Sequence, residues 1–126
     1  MSWPDVIVNV NKFHYLRGGS ERYFFDLAEI LGSRGHRVVA FSMAHPANIA
    51  PSGPSHFIPE VRWSERRGGA RALATLAHVV HSRAAERAMA ALLRTERADL
   101  AHLHNISHQI SPSILGPLRR RGVAVV

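Results

Sequence analysis

Residues 6–22 constrain the fold of this chain more than any other stretch. Val6, Ile7, Val8 and Val10 form a nearly unbroken β-branched run. A polar, aromatic segment from Asn11 to Arg17 follows, then Gly18-Gly19, and then a helical pattern. Such a run is typical of a strand buried on both faces of a parallel sheet. Gly18 and Gly19 allow positive φ angles and close approach of a ligand to the backbone. At a helix start, unbonded amides and the helix dipole favour negative charge, and Ser20 is the expected N-cap. From Glu21 to Leu31, the residues Tyr23, Phe24, Leu27, Ala28 and Leu31 make one apolar stripe. Gly32 and Gly35 are expected to end this helix, with Arg34 and His36 near its carbonyl end. Arg37–Met43, with Val38, Val39 and Phe41, reads as a second strand, which completes a βαβ unit of right-handed crossover.

The composition then shifts. Residues 44–59 hold Pro46, Pro51, Pro54, Pro59 and Gly53 and read as a long loop, mobile or shaped by partners, with a short strand at His56–Ile58. Arg62-Trp63-Ser64-Glu65-Arg66-Arg67-Gly68-Gly69 is a basic connector. A helical stripe follows, made of Leu73, Leu76, Ala77, Val80, Ala84, Ala88, Met89, Leu92 and Leu93. One straight helix from Ala70 to Arg97 would run roughly 42 Å, longer than a domain of this size is wide, so the expectation is a bend or break near Ser82, or an end that projects. Asp99–Leu103 reads as a third principal strand and Ile110–Arg121 as a helix, with Pro112 suited to its first turn. Val123–Val126 reads as a last strand. Strands and helices that alternate in this order specify a doubly wound, Rossmann-like parallel sheet in an α/β domain.

Charge and cysteine content narrow the function classes. The 126 residues suffice for one domain with a real core, and 46% hydrophobic and 20% charged residues are the proportions of a globular chain. Without cysteine there are no disulfides and no thiolate metal ligands. No apolar run reaches the length of a membrane span, and the N-terminus lacks the layout of a signal peptide, so a cytoplasmic location is the default expectation. The net charge of +7 suits nucleic acid, anionic lipid or phosphorylated ligands and does not choose among them.

In doubly wound sheets, ligands bind beyond the carboxyl ends of the strands, where strand order reverses. That rule sorts the nine histidines. His14 follows the first strand, His45 the second, and His104 and His108 the Asp99 strand, all on the edge that holds Gly18-Gly19. His36 precedes a strand, while His78 and His81 lie on the long helix. His102 and His104 share one side of their strand. His-x-His with a third ligand can bind zinc, but no Asp or Glu lies near enough in sequence to complete the set, so no metal is expected. A dinucleotide site wants Gly-x-Gly-x-x-Gly and an acid after the second strand; the chain has neither, and it also lacks Gly-x-x-x-x-Gly-Lys-Ser/Thr.

Three segments together resemble a known family. They are Asn11-Lys12-Phe13-His14-Tyr15-Leu16-Arg17-Gly18-Gly19-Ser20-Glu21-Arg22, then Gly35-His36-Arg37-Val38, then Ala101-His102-Leu103-His104-Asn105 with Ser107 to Leu115. They look like the N-terminal domain of family 4 glycosyltransferases. The resemblance covers nearly the whole chain and is weakest from about Ala44 to Ala70. It implies that residues 1–126 are the acceptor-side, N-terminal half of a two-domain GT-B enzyme. Such an enzyme moves a sugar from a nucleotide-sugar (UDP- or GDP-linked) to an acceptor hydroxyl on a glycan or lipid-linked acceptor, with retention and without a metal or other cofactor. Under it, Gly18, Gly19 and Ser20 meet the donor diphosphate and His104 is the catalytic residue beside the transferred sugar. His14, Tyr15, Asn105 and His108 contact the acceptor.

The resemblance also implies a nucleotide-sugar domain that these residues lack, supplied in cis or in trans, without which the chain is expected to be inactive. A lipid-linked acceptor would suit peripheral attachment to the inner face of a membrane. The competing reading is a non-catalytic basic module, in which Arg62, Trp63, Arg66, Arg67, Arg71 and Arg119-Arg120-Arg121 contact anionic lipid, nucleic acid or a partner protein. Nucleic acid is the less favoured of these, since like-charge runs are mostly solvated faces.

Overall fold

The computed structural model describes residues 4–51, 53–59, 83–106, 110 and 112–126. Their elements run β1 (Val6–Val10), α1 (Gly19–Ser33), β2 (Arg37–Met43), β3 (Ser55–Ile58), α2 (Arg83–Thr95) and β4 (Leu100–Leu103). A 3-10 turn (Pro112–Ile114), α3 (Leu115–Arg120) and β5 (Ala124–Val125) complete them. The five strands form one all-parallel sheet in the order β3-β2-β1-β4-β5. Strand order reverses between β1 and β4, where Asn9 pairs with His102 and Val10 with Leu103. The doubly wound, Rossmann-like α/β fold expected from the sequence is the fold observed.

The alternation of side chains along each strand separates two unlike faces. Val8, Val10, Val39, Phe41, Met43 and Ala101 join Met89, Leu92 and Leu93 of α2, together with Ile114, Leu118 and Val123, in one buried core. Fully burying each such side chain contributes about 1.5–3 kcal/mol. Asn9, Ser42, His102 and His104 belong to the other face, which α1 covers by packing buried Phe24 against it. A sheet that winds to the left from β1 and to the right from β3, with one hand of crossover, needs its helices on opposite faces. Here α1 and α2 lie on opposite faces.

Two of the three described helix ends that lead into a strand, those of α1 and α3, use glycine in the left-handed region. After α1, Gly35 has φ 91°, with Gly35 N bonded to Gly32 O and His36 N to Leu31 O. After α3, Gly122 has φ 69°, with Gly122 N bonded to Arg119 O and Val123 N to Leu118 O. This double bond pattern is the Schellman motif. The α1 helix therefore runs through Gly32 to Ser33, two residues past the expected end at Leu31, and Gly35 ends it as expected while Gly32 does not.

Three further expectations change. The helix foreseen over Ile110–Arg121 is a 3-10 turn followed by six α-helical residues, because Pro117 has no N–H to donate to the carbonyl four residues back. Tyr23 is 56% exposed and does not join the α1 core stripe, whereas Glu21 is buried. The 44–59 loop is tied to the site, since Ile49 N donates to His14 O at 2.8 Å. The part of the expected long helix before Arg83, the break expected near Ser82, and the Arg62–Gly69 connector lie outside the described residues. Among the described residues, no helix is long and apolar enough to cross a membrane.

Candidate functional site

The site builds outward from Asn9 in the middle of β1. Its Nδ2 donates to Phe24 O at 3.1 Å, which fixes Oδ1 as the acceptor side of the amide. His104 Nε2 lies 2.6 Å from that Oδ1 and must therefore be the protonated ring nitrogen, with Nδ1 left as an acceptor. Burial, and secondly the neighbouring charge of His102, push the His104 pKa down to about 4, so the imidazole is neutral at pH 7. The His102 and His104 rings lie 4.4 Å apart, which confirms that they share one side of β4. Tyr23, in the first turns of α1, sets its ring 5.4 Å from His104 and 6.2 Å from His102.

Asn11 joins the tips of β1 and β4 to the start of α1. Its Nδ2 donates to Phe13 O at 2.8 Å and Glu21 Oε2 at 3.0 Å, and its Oδ1 accepts from Asn105 N at 3.2 Å. Lys12 N donates to Asn105 O at 2.9 Å and His104 N to Val10 O at 2.9 Å. The glycine turn and the β4 tip are thus bonded into one corner at the reversal of strand order.

At that corner Gly18 is the N-cap of α1, with φ −166°, and no side chain caps the helix. Neither Gly18 nor Gly19 has positive φ. The expected Ser20 cap does not form, because the Ser20 hydroxyl donates to Glu21 Oε2 at 2.7 Å. The first helical bond runs from Arg22 N to Gly18 O, so the amides of Gly19, Ser20 and Glu21 have no partner within the helix. A Cβ placed on Gly19 would meet nothing within 4 Å, so this glycine faces open space. The exposed start of α1 and the neutral imidazole of His104 together offer backbone donors and a lone-pair acceptor.

The acceptor-contact candidates divide. His14 is only 5% exposed, its Nδ1 bonds Ile49 O at 3.0 Å, and its ring meets Phe24, Phe25 and Phe57 edge-on. Burial pushes its pKa down, with the Ile49 carbonyl opposing. It packs the loop in place beneath the surface. Tyr15 is half-buried and stacks on His45, with ring centroids 4.6 Å apart, and Asn105 is half-buried at the β4 tip. His108 lies outside the described residues. A cleft of about 810 Å³ lies on the β2 side of α1, between the helix and residues 49–51 and 53–54. Its lining includes Asn9, Phe24, His14 and Phe25 but not Gly18, Gly19 or His104, so it reaches the Asn9 anchor of the corner but not the start of α1.

The residues that sequence reasoning missed are Asn9, Asn11, Glu21 and Tyr23. Asn9 and Asn11 were visible as polar residues two apart at the end of an apolar run, a spacing that puts both on one face. Among the described residues, no three His, Asp or Glu side chains are grouped so as to hold a metal ion.

The family described as Glycosyltransferase Family 4 matches residues 17–126 of the chain. No curated protein matches it.

Proposed function

The chain belongs to glycosyltransferase family 4, and on that footing we propose that it forms the acceptor-side half of a GT-B site. That site transfers a sugar from a nucleotide-sugar to a hydroxyl of a glycan or lipid-linked acceptor, with retention. The observation that carries this reading is the shared corner: the free amides at the start of α1 and the His104 ring are bonded through Asn9, Asn11 and Asn105 into one edge of the sheet. As the bond from the sugar to the diphosphate breaks, negative charge grows on the leaving phosphate oxygen. Fixed amide donors and the positive end of α1 stabilise that charge without reorganising. His104, neutral and held by Asn9, accepts a hydrogen bond from a hydroxyl of the sugar and orients the ring. Tyr15 and Asn105 line the acceptor side.

The nucleoside needs a second domain, supplied in the same polypeptide or by another. The test is sugar transfer by the chain combined with a nucleotide-sugar-binding domain of the same family. Gly19→Val fills the open space over the α1 amides without touching the packing. It should abolish transfer while the far-ultraviolet circular dichroism and the melting midpoint stay at wild-type values. Full activity in Gly19→Val would refute the diphosphate assignment.

A further inference from the structure

Lys12 and Arg17 stand at opposite ends of the turn after β1, yet both rest on one ring. The Lys12 ammonium lies 5.3 Å from the Phe13 centroid and the Arg17 guanidinium 4.6 Å from it. Phe13 is buried in the core on the α2 face, with Tyr15 packed against it at 5.2 Å. The platform is therefore fixed. Lys12 is also fixed by its own backbone, whose N–H is bonded to Asn105 and whose carbonyl accepts from Met43 N.

Like charges held this close repel. The Lys12 pKa is lowered by burial first and by Arg17 second, with Glu21 opposing. Glu21 does not neutralise the pair by contact, because it is a buried residue whose carboxylate accepts from Asn11 and Ser20. The ion pairs among the described residues are Arg22–Asp26, Arg37–Glu96 and Arg120–Glu86, so neither Lys12 nor Arg17 has one. A half-buried ammonium and a guanidinium gathered on one ring, with no carboxylate in contact, form a receptor for an oxyanion from outside. A planar fork beside a point charge suits a phosphoryl group.

We propose that Lys12 and Arg17 hold a phosphoryl group carried by the acceptor. This rests on the transferase reading above. The platform under them lies toward α2: Phe13 belongs to the α2-side core, whereas Tyr23 and His104 lie on the α1 side.

The experiment is a titration of the isotope-labelled chain with inorganic phosphate, followed at the Arg17 Nε and Lys12 Nζ resonances. The expected result is a saturable shift whose affinity falls at least tenfold in the double variant Lys12→Gln/Arg17→Gln. Arg119→Gln/Arg121→Gln, a control of equal charge change, should bind phosphate as the wild type does. Gly19→Val should also keep this binding, so failure of the α1 diphosphate assignment and failure of the Lys12–Arg17 assignment are read separately. In transfer assays with the second domain, Lys12→Gln/Arg17→Gln should raise KM for a phosphorylated acceptor at least tenfold and leave KM for the donor unchanged. The proposal is overturned by an absent or non-saturating shift, by equal loss in the arginine control, by loss in Gly19→Val, or by a KM effect on the donor alone.

Discussion

Asn9 Oδ1 and His104 Nε2 lie 2.6 Å apart across the β1–β4 pairing, and the Asn9 amide is itself anchored to the backbone of Phe24 in α1. One side chain therefore sets the tautomer of the imidazole and ties it to the helix whose start lies beside it. Nitrogen-15 imidazole spectra should show His104 neutral, with its proton on Nε2, down to about pH 4. Asn9→Ala should remove the preference and give a mixture of both tautomers.

The same depression makes stability depend on pH. In the folded chain His104 titrates near 4 rather than 6.5, and His14 is shifted in the same direction. Between these values the unfolded chain binds more protons, so stability is full above about pH 6.5 and declines as pH falls toward 4. Urea midpoints at pH 7 and pH 5 should differ in that sense, and the difference should shrink in His104→Gln.

His14→Ala removes a ring packed against Phe24, Phe25 and Phe57 and the side-chain tie to Ile49. A buried truncation of this size costs about 2–4 kcal/mol. Urea unfolding should show that loss, and proteolysis should cut residues 44–54 faster. A change below about 0.5 kcal/mol, the size of an ordinary surface substitution, would contradict the packing described.

Asn11→Ala leaves the buried Glu21 carboxylate without its amide donor and Asn105 N without its acceptor, which should cost about 1–3 kcal/mol. Glu21→Ala should cost a similar amount, and the double variant should cost less than the sum, because the two residues share one network. Additive losses would show that they act independently.

The backbone turns that organise the fold were written plainly in the sequence, and the polar wiring of the site was not. The β-branched runs in β1 and β2 and the glycines before β2 and β5 locate strands and helix ends, because burial on both faces and positive φ each demand particular residue types. The position of His104 at a strand tip followed from alternation and chain order. Tyr23 was assigned to the buried stripe and is exposed, and the burial of Glu21 was not foreseen, because the start of α1 rests on Asn11, whose amide supplies the carboxylate with a donor. His14 was expected to contact the acceptor, and its place in sequence says nothing of the three phenylalanines that close around it. Ser20 has the right residue type for a cap but sits two positions too late, since Gly18 takes that place.

Gly35 and Gly32 make a contrasting pair near the end of α1. Gly35 has φ 91°, a conformation that an L side chain strains, whereas Gly32 is helical with open space around it. Gly35→Ala should destabilise by about 1–2 kcal/mol, and Gly32→Ala should stabilise by up to about 1 kcal/mol. Thermal midpoints that shift in opposite directions would confirm the helix end; equal shifts would contradict it.

The transfer rate of His104→Ala is the most direct test of the shared corner. Measured with the nucleotide-sugar-binding domain present and with folding verified, kcat should fall at least about a hundredfold, as expected when a fixed polar contact to the reacting sugar is lost. A rate within about twofold of wild type would mean that His104 does not face the reacting sugar beside the glycine turn.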